Sequence, residues 1–221
     1  MVLSLERDHL LKQVAAAVPD PALRSVPVRV AVDGIDGAGK TVFADDLAEA
    51  LKQLGREVVR VSVDGFRAAR DRRYARGVLS AEGFWLDSYD YEAFEQQVLA
   101  PFAPDGSRRF RRTAREGAAD ASPDEPWEHA GDECVLVVDG NFLHRDELAK
   151  AWDFSLFLAI KLKTAVSRLA SRDGTSPDPD DARTRRHIGG QRLYLRSCRP
   201  ASRATMVIDN DDFDKPVIRR R

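Results

Sequence analysis

The chain alternates short apolar runs with segments in which apolar residues recur every three or four positions. The apolar runs predict strands, and they lie at 28–32, 57–63, 134–138, 154–160 and 205–208. The helical spacing predicts helices at 3–18, 40–54, 91–99, 164–172 and 180–195, and a basic tail follows the last strand. Because strands and helices alternate, we expect an α/β fold whose sheet is mostly parallel and covered by helices on both faces.

Prolines and polar stretches separate segments of the chain, but they do not indicate a second domain. A length of 221 residues suits one domain over 1–221. Within it, an N-terminal helix occupies 1–20 and is stopped by Pro19 and Pro21. The segment 104–133 is rich in charged residues, proline and glycine, and predicts a hairpin with a mobile loop.

Charge and cysteine usage narrow the class of protein. Thirty-five basic residues balance 36 acidic ones, so the overall surface gives no reason to expect nucleic acid or an anionic membrane as partner. The N-terminal stretch carries acidic residues and has no unbroken apolar run, unlike a signal peptide or a membrane span. Cys134 and Cys198 lack metal-ligand spacing and are expected to be buried free thiols. We expect a cytoplasmic protein.

A glycine-rich turn directly follows the first strand. Residues 34–41 read Gly-Ile-Asp-Gly-Ala-Gly-Lys-Thr and match G-x-x-x-x-G-K-[ST] at every fixed position. Glycines let successive backbone N–H groups face a phosphate, and the next helix adds the positive end of its dipole. Lys40 can then reach the β- and γ-phosphates, and the Thr41 hydroxyl can ligate Mg²⁺. We expect ATP and Mg²⁺ as cofactors, with ATP held by Gly34, Asp36, Gly37, Ala38, Gly39, Lys40, Thr41 and Val42.

Two further acids stand at predicted strand ends, where ligands bind in open α/β sheets. Asp139 ends the run Val-Leu-Val-Val, which is the Walker B pattern for a carboxylate on Mg²⁺ or its waters. Asp64 ends Val-Ser-Val in the same way and could accept the proton of an attacking hydroxyl. Each is followed by glycine, so an Asp-Gly turn is the alternative reading. Asp33 and Asp36 flank or lie inside the glycine-rich loop and favour structural roles.

The ordered set of motifs resembles the uridine kinase and phosphoribulokinase group of P-loop kinases, and most closely the compact bacterial uridine kinase-like proteins. The set comprises GIDGAGKT, VSVDGF, a D-S-Y-D segment, VLVVDGNFLHRDEL, an arginine-rich stretch and VIDN, between about 28 and 217. The resemblance implies a three-layer P-loop fold, a small-molecule acceptor and an arginine-rich lid at 173–195. The resemblance leaves open whether the protein forms a homo-oligomer.

The resemblance also implies roles for single residues. Asp64 matches the acid that deprotonates the acceptor hydroxyl, and Asp90 matches the acid that holds ribose hydroxyls. From its position alone, Asp90 is an N-cap for the helix beginning at Tyr91. Arg168 and Arg172 share a helix face and match lid arginines that close over the transferred phosphate, the alternative being a solvated basic face. The unranked lid candidates are Arg183, Arg185, Arg186 and Arg192.

The sequence departs from the nucleoside kinases where a base would bind. Those proteins carry an aromatic and histidine pattern on a hairpin before the Walker B strand, whereas residues 109–115 here contain no histidine. Phe110 could stack on a base or be an ordinary strand residue, and Phe84 is a candidate for either the acceptor pocket or the core. We therefore expect a kinase for a nucleoside-like acceptor, uridine, cytidine or a related riboside. A sugar, sugar phosphate or pantothenate kinase and a non-kinase P-loop ATPase are the alternatives.

Overall fold

The computed structural model describes residues 3–114, 126–174, 176, 178 and 181–220. Part of the predicted mobile loop, residues 115–125, and four residues of the predicted lid lie outside the described residues. Among the described residues, no helix is long and apolar enough to cross a membrane.

Six strands form one sheet: β1 (Val28–Gly34), β2 (Glu57–Ser62), β5 (Cys134–Gly140), β6 (Phe154–Ala159), β7 (Met206–Asp209) and β8 (Val217–Arg220). They lie side by side in the order β2-β5-β1-β6-β7-β8. The first five are parallel, as the alternation of strands and helices predicts. The predicted basic tail is instead a strand, β8, which pairs antiparallel with β7 at the edge of the sheet. Two short strands, β3 (Arg109–Phe110) and β4 (Glu128–His129), form a separate antiparallel hairpin.

Helices cover both faces of the sheet, which confirms the predicted layering. The longer helices are α1 (Leu5–Ala17), α2 (Lys40–Gln53), α6 (Leu162–Asp173) and α7 (Ala182–Cys198). The shorter ones are α3 (Arg70–Tyr74), α4 (Ala81–Asp87), α5 (Tyr91–Phe94) and α8 (Pro200–Arg203). A π-helical turn at Glu95–Leu99 continues α5, so the predicted helix at 91–99 is present in two forms.

The core has a large layer on each face of the sheet. On one face, α1 and α2 pack Leu11, Val14 and Leu47 against buried residues of the strands. On the other, aromatic residues of α4 and α7, including Phe84 and Tyr194, surround Phe142 just after β5. All seven residues of β5 are buried, so Asp139 is carried to the site by the most enclosed strand.

Glycines bring α7 close to α4. A Cβ on Gly189 would lie 2.6 Å from the Cβ of Ala81, and a Cβ on Gly190 would lie 2.6 Å from Cδ1 of Phe84. Larger residues would hold the two helices apart, since packed interiors leave no spare room of this size. The two glycines therefore allow α7 to pack closely against α4.

Candidate active site

The loop between β1 and α2 has the backbone shape expected of a phosphate cradle. Gly37 and Gly39 adopt left-handed conformations with φ of 78° and 81°. A Cβ on Gly37 would also lie 2.6 Å from the carbonyl oxygen of Ala165, so both shape and space require glycine there. The Lys40 ammonium donates to the carbonyl of Ile35 at 3.0 Å and folds over the loop. Cationic and N–H groups thus converge where phosphates would bind.

Beside the loop, Thr41 and Asp139 form a hydroxyl–carboxylate pair. The Thr41 hydroxyl donates to Oδ2 of Asp139 at 2.7 Å. The other carboxylate oxygen accepts from Arg60, a β2 residue, at 3.0 Å. Asp139 is almost fully buried, and Arg60 supplies its compensating charge. Mg²⁺ is usually bound by one or two protein oxygens together with substrate phosphates and waters, and the Thr41–Asp139 pair has the oxygen donors for such a site.

Asp64 lies in the 3₁₀ turn Val63–Phe66 that follows β2. Its Oδ1 accepts a hydrogen bond from the Tyr89 hydroxyl at 2.8 Å, and Arg67 forms an ion pair with the same oxygen at 3.5 Å. Burial, followed by the charge of Asp64, raises the pKa of Tyr89 well above its ordinary value, so this phenol stays protonated and donates. About half of the Asp64 side chain is exposed. A carboxylate held from one side and open on the other can accept a proton from a bound hydroxyl.

Asp36 connects the phosphate loop to helix α7. Its carboxylate accepts from the Asn141 amide at 2.7 Å and contacts Nδ1 of His187 at 3.0 Å. Burial alone would raise its pKa, but the hydrogen bond with His187 and the charge of Lys40 outweigh burial and lower the pKa to about 2. Asp36 is therefore ionised and fixes the loop to α7.

One cavity of about 640 Å³ joins these groups. The phosphate loop, Asp139 and residues of α6 line one part of it, and Asp64, Tyr89 and residues of α3, α4 and α7 line another. Its size fits a ligand pocket for one or two small molecules. The arrangement can hold a polyphosphate next to a carboxylate that faces a second compound.

Solved structures with this architecture come from several kinds of kinase. A protein described as a possible uridine kinase from Bacillus stearothermophilus aligns with a TM-score of 0.65 and 19% identity, over 91% of this chain and 96% of that chain. Phosphoribulokinase from Rhodobacter spheroides aligns at 0.56 and 16%, over 84% and 70%. D-glycerate 3-kinase from Cryptococcus neoformans aligns at 0.54 and 15%, over 84% and 87%. This protein has the P-loop kinase fold. No family model matches the sequence, and no curated protein is significantly similar to it.

Within the P-loop kinase fold, the predicted acceptor residues lie in different places. Phe84 lines the cavity, and its ring lies tilted against that of His187, with ring centroids 4.3 Å apart. Phe110 is 1% exposed and packs against Phe102, so it belongs to the core. Asp90 accepts from the backbone N–H of Ala93 and caps α5. Among the described residues, neither Phe110 nor Asp90 lines the cavity.

The predicted lid arginines also differ from one another. Arg168 lines the cavity, but its guanidinium donates to the carbonyls of Gly37, Asn210 and Asp211 at 3.0–3.3 Å. It therefore joins the phosphate loop to the segment after β7. Arg172 is largely exposed at the cavity and pairs with Asp173 at 2.7 Å. Arg186 is buried in the cavity wall, whereas Arg185 is exposed.

Sequence reasoning missed several residues of the site. Tyr89 lies directly beside Asp90, and Asn141 directly follows Gly140. Both fall inside the motifs named above, but the sequence pattern indicated no function for either. Arg60 could have been found, because an arginine inside an otherwise apolar strand requires a charged partner. His187 gave no such signal, since its partner Asp36 is 151 positions away in sequence. Asp33, in contrast, has the predicted structural role, accepting from His144 and Tyr194 in the interior.

Proposed function

We propose that the protein is an ATP- and Mg²⁺-dependent kinase that transfers the γ-phosphate to a hydroxyl of a small molecule. The observation that carries this proposal is the single cavity lined by Lys40, Thr41 and Asp139 on one side and by Asp64 on the other. We place the reaction in the cytoplasm, where ATP is abundant.

Each side chain has a separate task in this reaction. Lys40 and the loop amides would neutralise charge on the β- and γ-phosphate oxygens. Thr41 and Asp139 would hold Mg²⁺, which when bound neutralises phosphate charge and orients the transferred group. Asp64 would accept the hydroxyl proton through its exposed oxygen, while the Tyr89 hydroxyl keeps the carboxylate oriented. Protein groups fixed before the reaction lower the barrier because they need no reorganisation.

For the acceptor, we propose a riboside or a similarly polyhydroxylated compound. The Tyr89 hydroxyl and the Asn141 amide lie beside Asp64 and Asp36, and Asn141 Nδ2 is 3.5 Å from the Tyr89 oxygen. This group of donors and acceptors suits several neighbouring hydroxyls. Asp90, expected to hold ribose hydroxyls, caps α5 instead, so this group would hold them in its place. Phe110, expected to stack on a base, is buried in the core, which favours weak selection for any attached base.

Matched substitutions test the assignment. Lys40→Ala should lower kcat by about a hundred- to a thousandfold, as loss of one fixed donor does elsewhere. Asp64→Asn should abolish turnover while ATP affinity changes little, because the shape is kept and only proton acceptance is lost. Asp71→Asn, on exposed α3, is the control. Activity of Lys40→Ala within tenfold of wild type would refute the phosphate-site assignment.

A P-loop ATPase that phosphorylates nothing is the rival function. It predicts ATP hydrolysis that no small hydroxyl compound accelerates. A kinase instead predicts that ADP release rises when its acceptor is added and that each ADP is matched by one phosphate ester. A screen of nucleosides, sugars, sugar phosphates and pantothenate separates the two.

A further inference from the structure

Two arginines in the wall of the cavity that Asp64 also lines are placed close together on two helices. Arg73 is on α3, which begins six residues after Asp64, and Arg186 is on α7. Both line the cavity. The Arg186 guanidinium donates to the carbonyl of Arg73 at 3.3 Å, so the two side chains belong to one cluster.

This arginine pair lacks anionic partners among the described residues. Arg186 is only 8% exposed, and its Nε has no hydrogen-bond acceptor. The Nε of Arg73 is likewise buried without an acceptor. Burial lowers the pKa of Arg186 and outweighs the opposing effect of Tyr74, and the nearby charge of Arg73 adds a smaller lowering effect. Buried cations without a counter-charge are costly and are rarely retained without a partner.

Aromatic rings hold the pair in place. The Arg186 guanidinium carbon lies 4.9 Å from the centre of the Tyr74 ring and 5.4 Å from that of Phe84. Arg73 lies 5.6 Å from the same Tyr74 ring. Such contacts orient guanidinium groups but supply no hydrogen-bond acceptors, so the Nε–H groups of both arginines stay without an acceptor among the described residues.

The other cations lining the cavity already have partners. Lys40 and Arg168 donate to backbone carbonyls. Arg172 is paired with Asp173, and Arg67 with Asp64. Within the described lining, Arg73 and Arg186 are therefore the cations that have a buried N–H group without an acceptor, and both lie on the α3 and α7 side of the cavity.

We propose that Arg73 and Arg186 bind an anionic group of the phosphate acceptor, so that the enzyme phosphorylates an acidic hydroxyl compound carrying a phosphate or a carboxylate. This inference rests on the proposed kinase activity and specifies its substrate class. A guanidinium presents parallel N–H donors that match a planar carboxylate or two phosphate oxygens. With the anionic group held by the arginine pair, a hydroxyl of the same molecule can face Asp64.

Matched acceptor pairs test the substrate class. ADP release and ester formation are measured with ribose and ribose 5-phosphate, glycerol and glycerate, and uridine and uridine 5′-monophosphate. We expect one acidic member to exceed its neutral counterpart in kcat/KM by at least about a hundredfold, the scale of two charge-assisted hydrogen bonds. The glycerate arm reports a carboxylate, and the other two arms report a phosphate. Preference for a neutral member overturns the inference.

Substitutions then locate the effect. Arg186→Met and Arg73→Met should each raise KM for the acidic acceptor at least about tenfold and leave KM for ATP within about twofold. Arg186→Lys should restore only part of the loss, because lysine lacks the fork. Arg72→Met, the exposed neighbour on α3, is the control. An increase confined to KM for ATP would assign the pair to the nucleotide and overturn the inference.

Binding without turnover keeps the inference separable from the proposed function. The same six compounds are tested for thermal protection of the wild type and of Arg73→Met, whose side chain is only half-buried. Protection by an acidic compound in the wild type alone supports the arginine site even if no ester forms, in which case the kinase proposal fails. Equal behaviour of acidic and neutral compounds overturns the arginine site and leaves the kinase proposal standing.

Discussion

Arg60→Met is expected to destabilise the protein through the carboxylate that it leaves behind. Arg60 bonds the carbonyl of Val137 at 2.8 Å and Oδ1 of Asp139 at 3.0 Å. The Asp139 side chain is 2% exposed, so without Arg60 its carboxylate keeps, among the residues that the structure describes, only the hydrogen bond from the Thr41 hydroxyl. Methionine preserves much of the apolar contact of the arginine stem, so the change reports mainly on charge.

The expected magnitude follows from these contacts. Removing one partner of a buried ion pair costs about 3–5 kcal/mol. Because Arg60 is itself partly exposed, we expect the low end, about 3 kcal/mol. In a chain of this length, 1 kcal/mol corresponds to roughly 2–4 °C, which predicts a fall in Tm of roughly 6–12 °C. Asp45→Asn removes the other partner of Arg60, but Asp45 is 62% exposed, so its loss should cost less than about 1 kcal/mol.

Chemical and thermal unfolding of the two variants, with and without Mg²⁺ and ADP, measures both effects. If Asp139 binds the metal, Mg²⁺ with ADP should stabilise Arg60→Met by more than it stabilises the wild type, because the cation replaces the lost charge. A fall in stability below about 0.5 kcal/mol for Arg60→Met would show that Arg60 does not compensate the buried charge of Asp139. So would equal losses for Arg60→Met and Asp45→Asn.

Three further predictions concern the walls of the site. Gly190→Ala should destabilise the protein by about 1–2 kcal/mol in urea unfolding, since its Cβ would meet Phe84 at 2.6 Å. As the control, Gly83→Ala in α4 should be neutral or stabilising, because a Cβ there would meet its nearest neighbours at 3.4 Å. Asp36→Asn should remove about 2 kcal/mol, since a carboxyl whose folded pKa is lowered to about 2 stabilises above its unfolded pKa near 4. That difference from wild type should vanish as the pH of unfolding falls from about 4 to about 2. Tyr89→Phe should lower kcat about tenfold at unchanged KM for ATP, measured by ADP release, because Asp64 loses its orienting donor.

The sheet, its order of layers and the phosphate loop could be predicted because each depends on local patterns. Apolar runs mark β1 and β5, and the loop motif follows β1 directly. Helices α3 and α4 were not predicted, because residues 70–87 are polar or carry too short an apolar repeat. These helices are stabilised by contact with α7. The edge strand β8 was missed for a similar reason, because three of its four residues are exposed and two are arginines.

For the site, strand-end acids were predictable and cross-chain partners were not. Asp64 and Asp139 follow from the rule that ligands bind beyond the carboxyl ends of parallel strands. The pairing of Arg73 with Arg186 spans 113 positions, and no local pattern reports such a distance. Asp90 shows that a local pattern can predict better than a resemblance. Its position beside a helix start correctly predicted a cap, whereas the resemblance implied a ligand contact.

Phosphoryl transfer from ATP to a hydroxyl can be followed by tracing the γ-phosphate. The enzyme is incubated with γ-labelled ATP, Mg²⁺ and the acceptor panel, and the labelled products are separated as inorganic phosphate or phosphate ester. We expect an acceptor-dependent ester, formed one-for-one with ADP and absent with Asp64→Asn. Label released only as inorganic phosphate, at a rate that no acceptor changes, would contradict this expectation.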